Sequence, residues 1–279
     1  MRGTPVPLIE PRPVTFLSDF GYTDEFTGVC RSVIFRIDPA ITVIDVTHGI
    51  APGDIRRGAL ALAALVPYSA PAVHLAVVDP GVGSDRRALA IAAGDHFLVG
   101  PDNGLLILAA ERLGGPDSAF EVSASPVRLA PMHRTFHGRD IFSPVAAALA
   151  RGLTPDELGS EIDVTGLVRI EMPEASLDRD HLTGHVMSID RYGNLALNIG
   201  PELILESFLR DGEALAVESG GRVVAEARFG SAFADVESGD PVLYPDSSGC
   251  LSLAVNLGNA AETFGLEPDD ELRITPAAR

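Results

Sequence analysis

Carboxylates, arginines and a histidine stand where apolar runs of this chain stop. Asp79 closes the run Ala72-Val73-His74-Leu75-Ala76-Val77-Val78; Pro80-Gly81-Val82-Gly83 and then Arg86 and Arg87 follow it. Asp19 closes Val14-Thr15-Phe16-Leu17-Ser18, and His137 lies in Thr135-Phe136-His137-Gly138-Arg139-Asp140, directly before another apolar segment. A carboxylate paired with a guanidinium orients small polar ligands through charge-assisted hydrogen bonds. A histidine adds an acid or base that works near neutral pH. In the second half, Asp190-Arg191-Tyr192-Gly193-Asn194 and Asp246-Ser247-Ser248-Gly249 are similar polar breaks. Each also has a plainer reading as a turn held by its own Asp or Ser. Asp19 could equally cap the helix after it.

Other chemistries find no support. There is no His-Glu-x-x-His, and two lone cysteines, Cys30 and Cys250, make no metal or disulfide framework. Gly81-Val82-Gly83 departs from the dinucleotide fingerprint because Arg86 takes the place of the third glycine. Neither a Walker loop nor a Gly-x-Ser-x-Gly elbow occurs, and no serine has the context of a nucleophile. No metal and no cofactor are expected.

The elements that must position these residues read as two bodies. Val14–Leu17, a helix from about residue 25 to 37, 41–46, a helix from 54 to 66 and 72–78 alternate as β-α-β-α-β, which implies a parallel sheet. Asp24 and Asp54 are expected to cap the two helices. A hairpin, 88–93 and 97–100, turns at Gly94-Asp95-His96; a helix spans 105–113, a short strand 120–122 and an apolar helix 141–150. Asp85 and Arg87 read as a solvated loop tip. Near residue 170 the texture changes. Short alternating runs at 184–190, 194–199, 214–218, 222–228, 241–244, 250–255 and 271–275 then predict a small β-barrel or sandwich, with a helix at about 201–209. The expected domains are therefore 14–170, α/β with a mainly parallel sheet, and 171–279, smaller and all-β.

The 279 residues are 46% apolar, with mean hydropathy +0.20, so a sizeable core can form. A net charge of -18 and a pI near 4.6 disfavour nucleic acid and anionic membranes as partners. The longest apolar run is too short to span a bilayer. Prolines 5, 7, 11 and 13 crowd the start, where an extended arm rather than a secretory leader is expected. These features predict a cytoplasmic protein.

Six segments occur here in the order seen in a known family: Ser18-Asp19-Phe20-Gly21, Ile44-Asp45-Val46-Thr47-His48, Val78-Asp79-Pro80-Gly81-Val82-Gly83, Pro101-Asp102-Asn103-Gly104, Thr135-Phe136-His137-Gly138-Arg139-Asp140 and Asp190-Arg191-Tyr192-Gly193-Asn194. The chain resembles, from about Val14 to Ile274, the S-adenosylmethionine hydroxide adenosyltransferases. These adenosine-forming hydrolases are relatives of fluorinating and chlorinating enzymes. The resemblance implies an N-terminal α/β domain, a C-terminal β-barrel, and a homotrimer that holds its small-molecule substrate between subunits. The implied chemistry is attack of water or hydroxide on the ribose C5′ with methionine as the leaving group. It would use Asp79, Arg86 and His137 at the nucleophile.

By the same resemblance Asp19 accepts the ribose hydroxyls. Asp190 and Asn194 grip the methionine amino group and the adenine or ribose side, and Tyr192 lies near adenine. Ser247 and Ser248 meet the methionine carboxylate, while the backbones of Val255 and Leu257 face adenine. Halogenating relatives carry aromatic residues at the positions of Asp79 and His137, and the fluorinating ones a long insertion where this chain has Gly94-Asp95-His96. A hydrolase is therefore expected. A halide adenosyltransferase and a non-catalytic adenosine or S-adenosylmethionine binder are the alternatives.

Overall fold

A computed structural model describes residues 10–277; most of the expected N-terminal arm lies outside them. The chain divides into two compact units, one ending at Ile170 and the other beginning at Glu171.

In the first unit the elements are β1 (Val14–Ser18), α1 (Phe26–Ile37), β2 (Val43–Thr47), α2 (Ile55–Leu65), β3 (Val73–Val77), β4 (Ala88–Ala93), β5 (His96–Pro101), α3 (Ile107–Arg112), β6 (Ser118–Glu121), α4 (Ser143–Ala150), α5 (Pro155–Leu158) and β7 (Ser160–Ile162). The sheet order is β2-β1-β3-β5-β4-β6-β7. Pairing makes β1, β2, β3, β5 and β6 co-directional, with β4 and β7 opposed, so the sheet is mostly parallel. Alternating strand residues feed two cores. Phe16, Leu75 and Val77 pack with Ile34 and Val145 on one face, and Leu17, Ala76 and Val78 with Leu62 and Leu105 on the other. A strand buried on both faces must be apolar throughout, which is why β1 and β3 read as continuous runs.

Several local expectations are corrected. Asp24 caps nothing: Glu25 is the N-cap of α1 and gives no side-chain bond, whereas Asp54 does cap α2 by accepting the Arg57 N–H. The apolar helix begins as a wider π turn, Gly138–Phe142, before α4. His96 is the first residue of β5 rather than part of the turn. Arg87 is no solvated tip: its Nε donates to Asp102 Oδ2 at 2.7 Å and its Nη2 to the Gly166 carbonyl at 2.6 Å. Strand β7 has too few apolar residues to announce itself.

The second unit contains β8 (Ser176–Leu177), β9 (Leu182–Ile189), β10 (Leu195–Leu197), α6 (Pro201–Glu206), β11 (Ala214–Ser219), β12 (Arg222–Phe229), β13 (Pro241–Pro245), β14 (Leu251–Val255), α7 (Ala260–Phe264) and β15 (Glu271–Pro276). Its order is β10-β14-β13-β12-β11-β15-β9-β8, and β10 also pairs with β9. Seven strands therefore close into a barrel, with β8 appended to β9. Inward residues such as Leu182, Val217, Leu253 and Ile274 fill it.

Candidate active site

Strands β1 and β3 are parallel neighbours, with Ser18 opposite Val77, so Asp19 and Asp79 leave the sheet at the same C-terminal edge. Ligand sites of open α/β sheets form at that edge. The exit of β3 is held open by Asn103, whose Nδ2 donates to the Val78 carbonyl at 2.9 Å. The loop then folds on itself: Val82 N–H donates to the Asp79 carbonyl and Ser84 Oγ to the Gly81 carbonyl. At Gly83 the backbone is left-handed, φ +80°, and a Cβ there would lie 2.7 Å from the Arg134 carbonyl oxygen. Arg134 in turn donates to the Gly83 carbonyl. The stretch bearing Asp79 and the stretch leading to His137 are thereby joined.

Three predicted residues meet here. Arg86 Nε donates to Asp79 Oδ1 at 2.9 Å and its Nη2 to Asp79 Oδ2, a bidentate pair. The same Nη2 lies 2.8 Å from His137 Nδ1. A guanidinium only donates, so Nδ1 accepts and the imidazole is neutral, with its proton on Nε2. Burial, and then the positive Arg86, hold the His137 pKa below 6.5, in agreement with that assignment. The guanidinium also stacks 5.2 Å above the Phe142 ring, which the π turn carries. Arg86, not Arg87, is the partner of Asp79.

Asp19 follows the same edge. Its Oδ2 accepts the Gly53 N–H at 2.9 Å, and its own N–H donates to Val77 at 3.3 Å, so it does not cap α1. The segment Ile44–His48 also contributes here through buried groups that sequence reasoning quoted without a role. Ser18 Oγ lies 2.7 Å from His48 Nδ1, and His48 Nε2 lies 3.4 Å from Asp45 Oδ1.

The remaining predicted residues lie in the second unit. Asp190 Oδ1 accepts the N–H groups of Tyr192 and Asn194, and its Oδ2 accepts Asn194 Nδ2 at 2.8 Å. The turn-stabilising reading of Asp190 and Asn194 is thus realised in the structure. Tyr192 is 74% exposed. Ser248 Oγ donates to Asp246 Oδ1 at 2.5 Å, which ties the Ser247–Ser248 loop, and Ser247 is exposed. Val255 is buried in the barrel, and its carbonyl accepts the Gly258 N–H. Leu257 is 89% exposed with φ +57°, a strained backbone for a branched side chain. By register, the 190–194 loop and Leu257 share one end of β14, and Ser247–Ser248 the other.

Residues 14–159 match the family model described as the SAM hydroxide adenosyltransferase N-terminal domain, and residues 184–273 match the C-terminal domain of the same family. The chain belongs to the SAM hydroxide adenosyltransferase family. A family relative from Salinispora tropica, named (R)-S-adenosyl-L-methionine hydrolase, is 45% identical over 95% of this chain and 98% of its own. One from Thermus thermophilus with the same name is 42% identical over 94% and 99%. A fluorinase from Actinopolyspora mzabensis is more distant, at 27% identity over 95% and 97%. A solved structure of a conserved protein from Thermotoga maritima superposes with a TM-score of 0.88 at 33% identity, covering 94% of this chain and 99% of that one. The two matched halves of the SAM hydroxide adenosyltransferase family thus fall on the α/β unit and the barrel unit respectively.

Proposed function

We propose that this enzyme hydrolyses S-adenosyl-L-methionine to adenosine and L-methionine. The observation that carries the reading is the single Arg86 guanidinium bonded to both Asp79 and His137 at the sheet edge. Water attacks the ribose C5′, the C5′–S bond breaks with its electron pair going to sulfur, and methionine departs as a neutral thioether. Departure needs neither acid nor cofactor, because the sulfonium is already cationic. The difficulty is a weak nucleophile, and fixing it in line supplies up to roughly 7–11 kcal/mol. His137 Nδ1 is occupied by Arg86, so Nε2–H serves as a donor that orients the water. Asp79 keeps the remaining lone pairs and accepts the water proton. A carboxylate at this position repels a halide, and the resemblance puts an aromatic residue there in the halogenating enzymes.

Asp19 is proposed to accept the ribose hydroxyls. Asp190, Tyr192, Asn194 and the backbones of Val255 and Leu257 are proposed to meet the adenine, ribose and amino groups, with Ser247 and Ser248 on the carboxylate. We further propose a homotrimer with a site shared between subunits. The polar loops divide between the two units, and Tyr192 and Leu257 expose apolar surface that a neighbour would cover. A cytoplasmic location is proposed because the two cysteines make no disulfide framework, a usage that suits a reducing compartment. Among the described residues no helix is long and apolar enough to cross a membrane.

Incubation with S-adenosyl-L-methionine in ¹⁸O-water, with and without chloride, tests the reading. Label on the adenosine 5′-oxygen is expected in both arms. Faster 5′-chloro-5′-deoxyadenosine formation would make the protein a halide transferase, and binding without turnover would make it a binder.

A further inference from the structure

Ser18, His48 and Asp45 stand in the order of a nucleophilic triad, yet they are not one. Ser18 and His48 have no exposed surface, and the Ser18 oxygen is committed twice. Asp45 accepts only, so the His48 Nε2 facing its Oδ1 carries the proton, and Nδ1 is left to accept. Ser18 therefore donates its hydroxyl proton to His48 Nδ1 at 2.7 Å and accepts the Phe20 N–H at 3.2 Å. The series begins at Arg31, which donates to Asp45 Oδ2 at 2.9 Å. Asp45 Oδ1 and His48 Nε2 have no hydrogen-bond partner among the described residues, and their 3.4 Å approach is an electrostatic contact outside hydrogen-bond geometry. The imidazole is wedged between Phe16, at 4.6 Å, and Tyr22, at 5.1 Å between ring centroids.

The series ends on the backbone around Asp19. The His48 side chain holds the Phe20 N–H through Ser18, and the His48 carbonyl accepts the Gly21 N–H at 2.8 Å. We propose that His48 is a positioning residue for Asp19, fixing from both sides the segment Asp19–Gly21 and so the direction in which the Asp19 carboxylate meets a ribose diol. The direction of the Ser18–His48 bond depends on the neutral Nε2–H form of His48. Burial keeps this ring neutral, lowering its pKa against the opposing pull of Asp45. The inference rests on the reading of Asp19 as the ribose-binding carboxylate.

The test compares affinity for adenosine with affinity for 2′,3′-dideoxyadenosine, by calorimetry on the full chain. Wild type should prefer adenosine. D19A should lose the preference. H48L, which keeps the packing against Phe16 and Tyr22 but not the hydrogen bonds, should weaken adenosine binding about tenfold and leave the dideoxy ligand unchanged. H48N should restore most of the preference, because its amide oxygen stands where Nδ1 accepted. A merely structural role would weaken both ligands together. D45A, on a partly exposed side chain, probes the same series if H48L does not fold, and should also narrow the preference. Loss of preference in D19A but not in H48L or D45A overturns the positioning role alone. A preference that survives D19A overturns the ribose reading, and this inference with it.

Discussion

Arg86 is shared, and sharing dictates what substitutions do. Lysine at this position keeps the charge but cannot fork across Asp79 while also reaching His137. R86K should fold normally and lose on the order of 100-fold in kcat, read by single-turnover adenosine formation. His137 gives a second prediction. Its pKa lies below 6.5 chiefly through burial and next through Arg86. The folded state thus binds this proton less readily than the unfolded chain. The associated stability should hold near neutrality and decline as pH drops below 6.5, and activity should fall only at the lower pH where the folded ring takes up a proton and an Nδ1–H confronts Arg86. Nitrogen-correlated NMR should show the Nε2–H tautomer at neutral pH, and R86A should raise the His137 pKa only partly, since burial remains. The residue types of this site were legible from carboxylates at run ends followed by Gly and Arg. The bond from Arg86 to His137 was not, because it joins segments 51 positions apart through a turn with no sequence period.

At the level of elements, the loop after β3 and the π turn depend on one close approach. G83A places a Cβ against the Arg134 carbonyl in a left-handed backbone. It should cost roughly 1–2 kcal/mol, seen as a lowered denaturation midpoint, with kcat reduced as well. At the opposite, N-terminal end of the strands, β1, β3 and β5 are linked through polar side chains. His74 Nδ1 meets Thr15 Oγ1 at 2.8 Å and its Nε2 meets His96 Nδ1 at 3.0 Å, and His74 is wholly buried. Burial lowers the His74 pKa from 6.5 to about 4. Between those values the unfolded chain takes up the proton first, so stability declines as pH falls through the window, by up to roughly 3 kcal/mol. Urea melts from pH 7 to pH 4 should show this slope, and H74F should flatten it. The β-α-β alternation was readable because β1 and β3 are apolar on both faces. His74 was hidden in that run, since only a neighbouring strand could reveal its partners. Two-residue β8 and three-residue β7 are fixed by their neighbours rather than by their own pattern.

For the whole molecule, a net charge of -18 acts on a substrate whose sulfonium and ammonium outweigh its carboxylate, leaving it a net cation. The attraction is long-ranged and screened by salt. Added sodium chloride should therefore lower kcat/KM several-fold while leaving kcat nearly constant, and a salt-independent kcat/KM would count against electrostatic capture. The spacing of the second unit's alternating runs predicts a barrel or a sandwich, and the family resemblance implies the barrel. Its closure between β9 and β10 was not legible, because no local signal marks which strands meet around a ring. The shared guanidinium finally bears on how hydrolytic and halogenating chemistry can be neighbours in descent. Replacing Asp79 alone leaves Arg86 without its counter-charge, and replacing Arg86 alone strands both Asp79 and His137. Single steps between the two chemistries thus pass through proteins poor at either, and variation at positions 79, 86 and 137 should be strongly epistatic, the triple replacement being little worse than the worst single one.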